Sequence, residues 1–192
     1  RYIRDYSTGI ITDWGCHLVD TAQFAANDPH QCALEVKGTA VPILEKAQSN
    51  IPANYDLHYR YSNGVTMQLH NVSKEEGLGK NVYIRFYGSK GWVSVTGWRG
   101  QFDASDSKIL RKKYAPGKSK HYPLPDREHP NFLASIRTGA QPTYPAETLH
   151  RLSTTLHMGV IAADLERIVT WDPRKERFKN DKEANSKLTV EQ

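Results

Sequence analysis

Apolar and polar positions alternate through the middle of the chain and recur at helical spacing at both ends. In Tyr55-Asp56-Leu57-His58-Tyr59-Arg60-Tyr61, Tyr55, Leu57, Tyr59 and Tyr61 fall on one face and Asp56, His58 and Arg60 on the other. A period of two fits a strand with one packed face. Ser62-Asn63-Gly64 follows, and Asn and Gly both tolerate positive φ, which predicts a hairpin. The return strand is predicted over Val65 to Val72, with Val65, Met67 and Leu69 on the packed face. A second hairpin is predicted from Tyr83 to Tyr87, through Gly88-Ser89-Lys90-Gly91, to Trp92 to Thr96. Further strands are expected around Leu34 to Val41 and Ser107 to Lys112. The polar face, with His58, Thr66, Gln68 and His70, suits a subunit interface as well as it suits water.

Helical spacing appears first around Trp14, Leu18, Val19 and Phe24, which predicts a helix from about Asp13 to Ala26. Thr12 or Asp13 can cap it, and Asn27-Asp28-Pro29 ends it, because proline disfavours helix in the residue before it. A short helix is expected over Pro130 to Thr138 with Gly139 as its stop. A long one is expected over Pro145 to Arg167, with Pro145 in an initial position. From about residue 171 the chain turns polar and is expected to wrap the surface, anchored by Trp171 and Phe178. The sum is an α+β fold: a large, mostly antiparallel, open β-sheet with helices packed on one face. The 192 residues suffice for a single domain with its own core.

Composition narrows the function classes. Apolar residues make up 38% of the chain, and no run approaches the ~18 consecutive apolar residues of a membrane helix, so no membrane partner is expected. The net charge is +5, with a loose cluster at Lys108, Arg111, Lys112, Lys113, Lys118 and Lys120. A nucleic-acid face shows a denser stripe with interleaved aromatics, so no nucleic acid is expected either. Cys16 and Cys32 make no disulfide framework and do not settle the compartment. The first residue is Arg1 rather than Met, from which a cut upstream is expected.

The chemistry-bearing residues are Asp13, His17 and Asp20 in Gly9-Ile10-Ile11-Thr12-Asp13-Trp14-Gly15-Cys16-His17-Leu18-Val19-Asp20. On a helix, spacings of four and seven put all three on one face. Gly15 lowers helix stability by about 1 kcal/mol relative to Ala and lets a ligand or a neighbouring backbone come close. Three readings stand side by side. The carboxylates and His17 can simply bond to one another near a helix start. They can hold a divalent cation, although no further ligand cluster is evident and no metal is expected. Or His17, oriented by a carboxylate one turn away, can accept a proton from an alcohol. Elsewhere His150, Thr154 and His157 share a face of the long helix, which suits packing or a cleft. His129 stands at a helix entrance, and Arg4 and Tyr6 lead into the Asp13 helix. Trp92 and Trp98 suit sheet packing.

The stretch from Tyr6 to Asp20 resembles the start of the C-terminal domain of the Gfo/Idh/MocA oxidoreductases, the glucose–fructose oxidoreductase and inositol dehydrogenase family. That family has a Gly-rich stretch, then Asp, three residues, His, two residues, Asp. Phe86-Tyr87-Gly88-Ser89-Lys90-Gly91-Trp92, His129-Pro130-Asn131-Phe132 through Ile136-Arg137, and His150-Arg151 through Trp171-Asp172-Pro173 also resemble its bacterial-type C-terminal domain, in order. The resemblance implies that His17 moves the substrate hydroxyl proton and Asp13 orients the sugar and His17. It implies Arg4, Tyr6, Asp20, His129 and His150 as contacts of a sugar or cyclitol, NAD or NADP as the hydride carrier, and a homodimer or homotetramer formed through the sheet. The Gly-rich stretch is reduced here to Thr8-Gly9. The family's Glu-Lys-Pro lysine and the Gly-x-Gly-x-x-Gly fingerprint of its N-terminal Rossmann domain are absent, Gly97 and Gly100 lying between strands. The isolated chain is therefore expected neither to hold a dinucleotide nor to turn over substrate. A non-catalytic oligomerisation or ligand-binding module, and an NAD-assisted glycosidase or lyase of the same family, remain open alternatives.

Overall fold

A computed structural model describes residues 3–26, 32–41, 49–52, 54–71, 83–96, 100–119 and 127–189. The chain divides into two compact units, Arg1–Lys80 with Arg151–Gln192, and Asn81–His150.

The first unit is built on a five-stranded sheet. Its strands are β1 (Glu35–Val41), β2 (Asn54–Arg60), β3 (Thr66–His70), β7 (Val169–Asp172) and β8 (Arg177–Phe178), in the order β3-β2-β1-β7-β8. Every pairing in it is antiparallel. Alternation fixes the register: Tyr59 of β2 faces Val36 of β1 and Met67 of β3, and Leu57 faces Leu69. Tyr55, Leu57, Tyr59 and Tyr61 are all buried, as the period of two predicts. Burial of such side chains stabilises by about 1.5–3 kcal/mol each. The opposite face carries cross-strand polar pairs. Gln68 Nε2 donates to Asp56 Oδ1 (2.7 Å), His58 Nε2 lies 3.2 Å from the same oxygen, and Arg60 Nη2 donates to Glu35 Oε2 (2.7 Å).

The β2–β3 turn differs from the expected pair of positive φ angles. Only Gly64 is left-handed, and Asn63 is not. Gly64 N–H donates to Tyr61 O (3.1 Å) and Tyr61 N–H to Val65 O (2.9 Å). The loop is thus three residues long, with Gly64 as its bulge. Val65 closes this loop rather than opening the strand, and Val72 lies outside the described residues.

Two helices cover the apolar face. The first was expected from Asp13 to Ala26; it begins earlier and is interrupted, as α1 (Ile10–Asp13) and α2 (Gly15–Ala26). Ile11 is buried and draws the preceding turn into the helix. The cap is therefore Gly9, at φ 78°, and not Thr12 or Asp13; Thr12 Oγ1 instead donates back to Gly9 O (3.1 Å). The expected stop at Asn27-Asp28-Pro29 lies outside the described residues. Trp14 keeps right-handed angles (φ −80°, ψ −32°), so α1 leads directly into α2. The second cover is α5 (Ala146–Leu165), whose Leu152, Leu156, Met158, Gly159, Val160, Ile161, Ala162 and Ala163 are buried. Among the described residues no helix is long and apolar enough to cross a membrane.

The polar end of the chain enters this sheet. Trp171 and Phe178, the expected anchors, are buried and meet edge to face with centroids 5.0 Å apart. Beyond them α6 (Lys182–Ser186) is capped by Asp181, which accepts from Ala184 N–H. Asn185 clamps the turn, accepting from Phe178 N–H and donating to Phe178 O, both at 2.9 Å.

The second unit holds a three-stranded antiparallel sheet of β4 (Tyr83–Gly88), β5 (Gly91–Thr96) and β6 (Gln101–Ala104). The β4–β5 hairpin falls where expected, with Gly88 opposite Gly91. The strand expected over Ser107 to Lys112 is instead a helix, α3 (Ser107–Arg111). Asp106 accepts from Lys108 N–H (2.8 Å), and that cap decides the local conformation. Trp92 serves sheet packing: the Arg85 guanidinium lies 4.1 Å over its ring. Trp98, Gly97 and Lys120 lie outside the described residues. Helix α4 (Glu128–Thr138) ends at the left-handed Gly139, as expected.

Candidate functional site

The segment around Asp13 is organised by a burial stripe of helical period. Ile11, Gly15, Val19 and Gln23 are buried, while Asp13 and His17 are exposed and Asp20 is half-buried. The stripe faces the rest of the first unit. Tyr61 Oη donates to Gln23 Oε1 (3.2 Å), joining α2 to the sheet. A Cβ on Gly15 would stand 3.0 Å from Leu156 Cδ2 and 3.4 Å from Leu69 Cδ2, so Gly15 lets α2 settle onto α5 and β3. What comes close at Gly15 is two leucine side chains, where a ligand or a neighbouring backbone was expected.

The polar face is held from the same segment. The Trp14 and His17 rings meet edge to face, with centroids 6.4 Å apart. Cys16 Sγ donates to the Asp13 carbonyl (3.0 Å). Burial pushes the Cys16 thiol up; the His17 backbone N–H opposes this, and the charges of Asp13 and Asp20 add to it. Both carboxylates therefore lie close enough to be felt at one sulfur, which stays protonated and is a poor nucleophile. Among the described residues no three His, Cys, Asp or Glu converge as a metal site.

A turn precedes α1. Tyr6 N–H donates to Ile3 O (3.1 Å), Ser7 N–H to Arg4 O (3.4 Å), and Gly9 N–H to Ser7 Oγ (3.1 Å). Tyr6 points away from this packing and is 88% exposed. Arg4 is held against the molecule: its backbone N–H donates to Asn50 Oδ1 (2.6 Å), and its guanidinium pairs with Asp164 of α5. His157 on α5 feels the charge of that guanidinium. Burial holds its imidazole below the usual histidine value, and the Arg4 charge lowers it further.

Arg4, Tyr6, Asp13, His17 and Asp20 thus belong to the first unit. His129, in the first turn of α4, and His150, on α5, belong to the second, and both are exposed. Thr154 is half-buried on α5. Sequence reasoning missed Asn50 and Asp164. The signal for Asp164 was its spacing of seven from His157, one face of the same helix. Asn50 carried no such signal.

A dinucleotide does not fit the described residues of this chain. Every strand pairing among them is antiparallel, so they contain no strand–turn–helix–parallel-strand unit of the kind that cradles a pyrophosphate. Gly100 leads into strand β6 rather than a helix.

Asp13 and His17 thus share the outward stripe of a helical segment that packs on β3 and α5. The whole chain, residues 1–192, matches the family described as "Oxidoreductase family, C-terminal alpha/beta domain", and it belongs to that family, the C-terminal domain of the Gfo/Idh/MocA oxidoreductases. Solved structures share the fold. A myo-inositol dehydrogenase from Corynebacterium glutamicum is 22% identical with a TM-score of 0.50, over 88% of this chain and 52% of that one. A putative myo-inositol dehydrogenase from Sinorhizobium meliloti is 18% identical with a TM-score of 0.52, over 86% and 51%. The WlbA dehydrogenase from Bordetella pertussis, solved with NADH and UDP-GlcNAcA, is 13% identical with a TM-score of 0.53, over 83% and 44%. The chain therefore spans about half the length of these structures. No functionally curated protein matches it.

Proposed function

We propose that this chain is the substrate-binding and proton-transferring part of an NAD(P)-dependent oxidoreductase acting on a hydroxyl of a sugar or cyclitol. His17 takes or gives the hydroxyl proton and Asp13 orients the substrate and the imidazole. Arg4, Tyr6 and Asp20 contact the substrate. The observation that carries this reading is the burial stripe: Ile11, Gly15, Val19 and Gln23 pack inward, which leaves Asp13 and His17 on the outward face, open to a ligand.

The nicotinamide cofactor supplies the hydride chemistry when bound to the oxidoreductase. This chain's residues do the rest. A hydride leaves a carbinol carbon readily only when the hydroxyl proton leaves with it, and an imidazole is the side chain suited to that transfer near neutral pH. The cofactor comes to this reading from the relatives, one of which is solved with NADH; the substrate class comes from the two inositol dehydrogenases. The laterally paired polar face of the sheet, with His58, Gln68 and Asp56, supports a homodimer or homotetramer formed through it.

Titration of the histidine-labelled chain with myo-inositol or glucose, followed by NMR, tests the substrate reading: the His17 ring resonances are expected to move. A chain whose His17 ignores every polyol at tens of millimolar overturns it. Calorimetry with NAD(H) and NADP(H) is expected to show no micromolar binding to this chain. Light scattering is expected to show a dimer or larger, and a strict monomer at high concentration sinks the interface.

A further inference from the structure

Arg4 is tied down twice, by its backbone to Asn50 and by its guanidinium to Asp164. The side chains of Arg4 and Asp164 keep 28% and 29% of their surface exposed. An ion pair this exposed adds little to stability, so its effect is on geometry. On α5, His157 and Asp164 stand seven residues apart and share a face. The pairing with Asp164 places the guanidinium along that edge of the helix, and its charge acts on His157. From Arg4 the chain makes its turn through Ser7 and Gly9 and enters α1, at whose end Asp13 sits. The same helix α5 receives Gly15 at Leu156. Thus α5 anchors the Asp13 segment on both sides, at Leu156 and at Asp164. Eight residues of helix separate these two points by about 12 Å.

We infer that Asp164 is a positioning residue of the candidate site: by holding Arg4 on α5 it fixes the Ile3–Ser7 turn that delivers Asp13, and it aims the guanidinium at the substrate's hydroxyls. A guanidinium has five N–H donors in a rigid fork, and the pairing with Asp164 runs through Nη2. An acidic partner on one arm orients the others. The inference rests on the proposed substrate reading of this segment.

The test uses the whole chain with labelled histidines and two readouts: the pH titration of the His157 ring and the myo-inositol dependence of the His17 ring. Asp164→Asn and Arg4→Gln are both expected to raise the His157 pKa towards the usual histidine value, because each removes the Arg4 charge from α5. Asp164→Glu is expected to restore the lowered value. Asp164→Asn is also expected to weaken myo-inositol about tenfold, the size of one lost charge-assisted contact, with recovery in Asp164→Glu. An unchanged or lower His157 pKa in Asp164→Asn means that Arg4 stays without its partner and overturns the inference, as does an unchanged inositol affinity. A His17 ring that ignores myo-inositol in the unmodified chain, with the His157 arm behaving as expected, fails the substrate reading instead and reduces Asp164 to a holder of a turn.

Discussion

The Tyr59 hydroxyl lies directly over Gly159 of α5, where a Cβ would come within 2.0 Å of it. That hydroxyl is buried with no hydrogen-bond partner among the described residues. A buried unpaired polar group costs about 1–3 kcal/mol. Tyr59→Phe is therefore expected to stabilise the chain by about 1 kcal/mol or more. Gly159→Ala is expected to destabilise by about 1–3 kcal/mol through overpacking, and by less in the Tyr59→Phe background. Urea unfolding of the two single variants and the double variant measures this coupling.

The buried phenols also set the alkaline limit. Burial raises Tyr55 to about 12, and raises Tyr59 and Tyr61 further. These groups stay neutral in the folded chain at pH values where the unfolded chain ionises, near pH 10. The stability they contribute is full below pH 10 and is lost as pH rises from 10 through 12 and beyond. Phenolate absorbance is expected to appear for these three residues together with loss of the helix signal, and not before it.

At the acid end the matching group is Asp181. The Arg167 guanidinium, with help from Ala184 N–H, holds its carboxyl at about 2. A depressed carboxylate stabilises above its unfolded value near 4, and that contribution fades as pH falls from 4 to 2. Asp181→Ala also removes the cap of α6, a loss of about 0.5–2 kcal/mol. Thermal unfolding of this variant is expected to show a lower midpoint at pH 7 and a shallower decline between pH 4 and pH 2.

Gly15 tests how tightly α2 seats on α5. Alanine gains about 1 kcal/mol of helix propensity, and its Cβ meets only the movable ends of Leu156 and Leu69. Gly15→Ala is expected to be close to neutral. Gly15→Val adds two methyl groups against the same leucines and is expected to destabilise by about 1–3 kcal/mol. Denaturant midpoints of the two variants separate these outcomes.

The outward position of His17 makes its role separable from stability. His17→Gln is expected to leave the unfolding free energy within about 0.5 kcal/mol, as surface changes do. In an oxidoreductase that carries both this chain and a dinucleotide domain, the same change is expected to lower turnover by about 10²–10⁴-fold, the usual range for a lost general base. Turnover that survives the change assigns the proton to another group.

Local patterns carried most of this fold. The Tyr55–Tyr61 alternation, the Gly88–Gly91 turn and the Gly139 stop are each written within a few residues, and each appears where the pattern put it. Ile109 and Leu110 read as a strand because two apolar residues in a row have no diagnostic period; the Asp106 cap beside them carried the deciding signal. Strand β6 is four residues long, too short for its alternation to stand out. In the site, the Asp13–His17 spacing was visible at once, but which way it faced depended on Ile11, Gly15 and Val19 packing inward. The pairing of Arg4 with Asp164 spans 160 positions, and nothing local to either residue announces the other.

Strand β1 takes its two neighbours from opposite ends of the molecule's synthesis. Its first partner, β2, follows after twelve residues, whereas its second, β7, is made only after the whole second unit. On the ribosome the half-built sheet therefore exposes the β1 edge at Glu35 and Val36 until residues 169–172 emerge. Such an edge is a template for pairing with other chains, so the nascent protein is most vulnerable to aggregation late in translation, and translation halted near residue 165 would be expected to yield a chaperone client rather than a shortened domain.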